Sequence, residues 1–84
     1  MSNKWENVVG SITTEESRQQ DQTVLEKHFY IAVLVDGEWF YAKSVVPLSE
    51  TEAHPDRVLM LLTQMVEHIE ERITEKELHS DTDH

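Results

Sequence analysis

The stretch Lys27–Val46, KHFYIAVLVDGEWFYAKSVV, decides the fold. Two apolar runs flank Asp36-Gly37, and a two-residue type I′ turn needs positive φ at both central positions, which Asp and Gly tolerate. The spacing predicts an antiparallel β-hairpin over residues 24–46. Its register follows from the loop: Leu34 stands opposite Trp39, Ala32 opposite Tyr41, and Tyr30 opposite Lys43. Side chains alternate between faces, so one face collects Phe29, Ile31, Val33 and Val35 with Phe40, Ala42 and Ser44. That is a core face. The other collects His28, Tyr30, Ala32 and Leu34 with Trp39, Tyr41, Lys43 and Val45, too aromatic for a plain solvent face.

Downstream, Pro47 ends the second strand because it cannot donate to a ladder. Ser49-Glu50-Thr51-Glu52 fits a capping box that opens a short turn. His54-Pro55-Asp56 restarts the chain, since proline suits the first helical position and an acid the first turn. Leu59, Leu62, Val66, Ile69 and Ile73 then step by threes and fours, and Val58, Leu61 and Met65 widen that seam. The periodicity predicts an amphipathic helix over residues 55–78. Residues 79–84 read as a frayed tail.

Upstream, Trp5, Val8, Val9 and Ile12 fall at i, i+3, i+4 and i+7, one face of a short helix with Ser2 or Asn3 as its cap. Gly10 and the paired valines weaken that helix, and residues 7–13 fit a strand equally well. Both readings make residues 1–12 a docked apolar segment. Residues 13–23 hold no apolar side chain and read as an exposed polar connection. The expectation is one small α+β domain spanning residues 1–84. It has an antiparallel hairpin, a third strand available at the amino terminus, and one long carboxy-terminal helix packed across it.

Leu, Ile, Val and Phe make up 22 of the 84 residues, above the roughly 20% level below which disorder is expected. The chain has no cysteine, so neither a disulfide nor a thiolate metal site can staple so small a core. Self-association is the remaining common route to extra burial, and a homodimer is expected. No apolar run approaches the roughly 20 residues that span a bilayer, and no leader-length apolar run opens the chain. A soluble, cytoplasmic protein without membrane contact is expected.

The formal charge is -10. Residues 49–84 hold most of it, with ten acids against Arg57, Arg72 and Lys76. Such a chain lacks the basic stripe that direct nucleic-acid binding requires. It suits a basic protein surface instead.

Two groups of side chains stand out. Tyr30, Leu34, Trp39 and Tyr41 form the aromatic strand face. It reads as a second core layer under the Trp5 segment, as a self-interface, or as a partner site. Glu67, Glu70, Glu71 and Glu75 form an acidic helix face. It reads as a solvated surface, or as a phosphate mimic that occupies a basic nucleic-acid groove on another protein.

His68 with Glu71 and Glu75, and the tail group His79, Asp81, Asp83 and His84, match no metal-ligand spacing. No metal and no cofactor are expected. The chain has no glycine-rich phosphate loop, no cysteine nucleophile and no Gly-x-Ser-x-Gly elbow. The functional expectation is a non-enzymatic acidic protein-binding module, an inhibitor of a basic surface in its sharpest form. The alternative is a structural or accessory subunit that acts by homo-oligomer assembly.

Overall fold

Asp36 and Gly37 turn the chain with φ of 52° and 76°, the paired left-handed conformation of a type I′ loop. In the computed structural model, which describes residues 5–82 and side chains through residue 78, they join β2 (Gln22–Val35) to β3 (Glu38–Pro47). The register is the expected one, with Val35 opposite Glu38, Leu34 opposite Trp39 and Ala32 opposite Tyr41.

The amino-terminal segment is a strand. β1 (Asn7–Gln19) runs antiparallel to β2 from Asn7 opposite Leu34 to Gln19 opposite Gln22, giving the order β1-β2-β3. The helical spacing of Trp5, Val8, Val9 and Ile12 is overruled by β-branched side chains and by a partner strand with open ladder groups. Ser2 and Asn3, the proposed caps, lie outside the described residues.

Residues 13–23 correct the reading as a connection. They complete β1, turn at Gln20 and Asp21, and begin β2. Both turn residues have positive φ, 47° and 64°, so this is a second two-residue loop of the same hand, built without glycine. The hairpin runs past the end of β3, where neither face needs to be apolar. Backbone pairing holds it, and the Lys27 ammonium donates to Thr14 Oγ1 across the strands at 2.9 Å.

Pro47 leads directly into α1 (Leu48–Ala53) and occupies its N-cap position, with no side-chain capping bond. The expected capping box is therefore not formed, because the helix begins at Leu48 and places Ser49 inside the first turn. Thr51 Oγ1 instead donates to the Leu48 carbonyl at 2.7 Å. Arg57 and Glu50, 3.3 Å apart, tie α1 to the next helix. α2 (Pro55–Thr82) starts at Pro55 as expected and runs four residues beyond residue 78.

The core is a single layer between α2 and one sheet face. Phe29, Val33, Val35, Phe40 and Ala42 pack against Met65, Ile69 and Ile73, with Trp5, Ile31, Val46, Val58, Leu61 and Leu62 around them. The buried helix stripe is thus Met65–Ile69–Ile73, at i, i+4 and i+8. Leu59, the first residue of the expected seam, is 68% exposed. The reason is placement. α2 lies over β2 and β3 and makes no substantial contact with β1, so the flank carrying Leu59 has nothing beneath it.

Ile69 has no exposed surface, and Ile69→Ala should cost about 2–5 kcal/mol in urea unfolding. The same truncation at Met60, 63% exposed on the outer side of α2, should stay within about 0.5 kcal/mol. The glycine-free turn gives a second test. Replacing Gln20 and Asp21 by Asn and Gly relieves left-handed strain worth roughly 1 kcal/mol, which should raise Tm by about 4–8 °C at fixed protein concentration.

Candidate functional site

Burying one sheet face leaves the other uncovered. On it, Trp39, Tyr41, Val45 and Val9 are about half exposed and Tyr30 is 37% exposed, while Leu34 is half-buried. Tyr30 and Tyr41 sit diagonally across β2 and β3 with ring centroids 6.2 Å apart and planes tilted by 33°, a favourable aromatic geometry. Ala32 lies opposite Tyr41 and is buried. The structure thus brings Tyr30, Leu34, Trp39 and Tyr41 onto one surface. It also removes the reading in which the Trp5 segment covers them. Trp5 packs against the helix-side core instead, and the residues that follow it extend the sheet sideways.

The two ends of this face differ in charge. Beyond Val45 it closes on Glu15 and Glu26, directly opposed across β1 and β2. Like charges in that position repel, and His28 Nε2 lies 3.5 Å from Glu26 and 3.9 Å from Glu15. Its offsetting charge exists only on the protonated imidazole. Lys43 stands between Tyr41 and Val45 on the same side of β3, exposed.

Glu67, Glu70, Glu71 and Glu75 share one patch of α2 with Thr74. At 3.6 residues per turn they point away from the Met65–Ile69–Ile73 stripe. All four are exposed, and among the described residues none takes part in an ion pair. Two other exposed acids near α2 are matched: Glu38 by Lys76 at 3.0 Å and Glu50 by Arg57 at 3.3 Å.

A third surface was not singled out from the sequence. Val8, Gly10 and Ile12 of β1 line a groove of about 490 Å3 with Phe29, Leu62 and Val66, on the helix side of the sheet. Val8 is 48% and Ile12 58% exposed. The β-branched run Val8-Val9-Gly10-Ser11-Ile12 signalled an apolar strand, but only the position of α2 shows that neither of its faces is covered.

Among the described residues no group of three or more histidines, aspartates or glutamates could hold a metal ion. His68, Glu71 and Glu75 lie on α2 without converging, and the side chains of the tail group lie outside the described residues. No helix among the described residues is long and apolar enough to cross a membrane. Comparison with protein-family models, with curated proteins and with solved structures found no match for this chain.

Proposed function

We propose that this chain is a non-enzymatic protein-binding module that docks the acidic outer face of α2 on a basic surface of a partner protein. The supporting observation is the state of Glu67, Glu70, Glu71 and Glu75, exposed side by side without a neutralising partner among the described residues. These four charges span about 12 Å of helix axis, roughly one per 4 Å. A single DNA strand carries one per about 3.4 Å. The acidic face therefore offers a basic groove a comparable charge density, on a rod held rigid by its buried stripe.

The probe is a basic nucleic-acid-binding protein, with duplex DNA as competitor. The chain should displace DNA at low salt and lose about ten- to hundred-fold in affinity between 50 and 200 mM salt. Reversing Glu67, Glu70, Glu71 and Glu75 to lysine should abolish displacement and leave the thermal transition in place. Binding that ignores both salt and charge reversal would remove this reading.

A second reading, an accessory subunit acting through homodimer assembly, is favoured by the amount of uncovered surface. The chain exposes 6412 Å2, against about 5,200 Å2 for a compact monomer of this mass. Its radius of gyration is 16.2 Å, against about 12 Å for a compact domain of this length. Light scattering behind a sizing column should then give twice the 9.8 kDa chain mass over a wide concentration range.

A further inference from the structure

We propose that a second copy of this chain pairs along the free edge of β1, around a two-fold axis at Gly10, to make one continuous six-stranded sheet. This deepens the assembly reading and rests on it, and it is independent of the acidic-face reading.

The two edges of the sheet are not equivalent. β3 carries Glu38 and Lys43, ends at Pro47 and runs into α1, the charge, proline and cover that blunt an edge. β1 carries none of these over Asn7–Thr14. That stretch has no charged residue and no proline, and its one-to-one register with β2 leaves no bulge. Its helix side carries Val8 and Ile12, and Val9 stands on the other side beside Asn7, Ser11 and Thr13, with all three apolar side chains about half exposed.

Gly10 is the independent observation. Glycine weakens a strand interior and marks close approach of another backbone. Nothing among the described residues requires it. Its φ is not in the left-handed region, and a Cβ built there would meet only the Tyr30 carbonyl oxygen at 3.5 Å, an ordinary contact. Yet Gly10 lies in the groove that β1 and α2 enclose.

An antiparallel pair centred on Gly10 sets Val8 opposite the second copy's Ile12, and Ile12 opposite its Val8. The two grooves merge into one trough across the axis, with Leu62 and Val66 of each α2 along its walls. Stacking two aromatic faces is the poorer solution. It would take the Lys43 ammonium, exposed between Tyr41 and Val45, out of water.

The chain has no native cysteine, so single cysteines report the interface directly. Cα atoms opposite each other in an antiparallel pair lie about 4.5–5.5 Å apart, within disulfide range. After mild oxidation, Gly10→Cys should run at twice the 9.8 kDa chain mass under denaturing, non-reducing conditions, and Tyr41→Cys should run as the single chain. Val8→Lys should leave single chains, and adding Ile12→Glu should restore the dimer, because this register sets the two new charges against each other. Because both copies are strongly acidic, self-association should hold or strengthen as salt rises, unlike docking through α2. A dimer that crosslinks at Tyr41 and not at Gly10 overturns the edge while sparing the assembly reading. A monomer at every concentration overturns both.

Discussion

One apolar contact holds this molecule together: the Met65–Ile69–Ile73 stripe of α2 against Phe29, Val33, Val35, Phe40 and Ala42. A three-stranded sheet has two faces, and a single helix can cover only part of one. Every other feature of the surface follows from where that helix lies. Because it crosses β2 and β3, β1 is left bare on its helix side. Because no second layer forms among the described residues, Trp39, Tyr41 and Val45 are about half exposed. The molecule extends 55 Å along its longest axis, since neither the β1–β2 hairpin nor α2 is folded back over an open face.

Charge is arranged around the same contact. The side of α2 turned from the sheet carries Glu67, Glu70, Glu71 and Glu75, while the cations of the described helix either lie nearer the sheet or bridge elements. Lys76 reaches Glu38 in β3, and Arg57 reaches Glu50 in α1. These exposed pairs are worth little in stability, roughly 0–1 kcal/mol each. They do, however, use up local positive charge and leave the outer acids without an ion pair among the described residues. The chain presents an acidic side on the helix and an aromatic side on the sheet. A contact with one need not disturb the other.

Hairpin register, the start of α2 at Pro55 and the division of β2 and β3 into core and aromatic faces were legible in the residues alone. Each is a short-range constraint. Asp36-Gly37 admits few loop geometries, proline admits few helix positions, and strand alternation has a strict period of two. The glycine-free turn at Gln20-Asp21 was not legible, because neither residue announces positive φ and the flanking strands lack an apolar alternation. The Trp5–Ile12 spacing matched a helix by coincidence, since four apolar residues in eight satisfy more than one period. A side chain's type identified the acidic and aromatic groups, but not whether anything would cover them.

Local chemistry therefore determined the β2–β3 hairpin, the start of α2 and which β2–β3 face turns inward, because those depend on neighbouring φ preferences and on periodicity. Tertiary structure alone decided that Asn7–Gln19 becomes the sheet's edge, that Trp5 joins the helix-side core, and that Leu59 is left outside it. Those outcomes depend on which of two competing surfaces reaches a shared partner first in free energy. That comparison between distant segments is written in no single stretch of the chain.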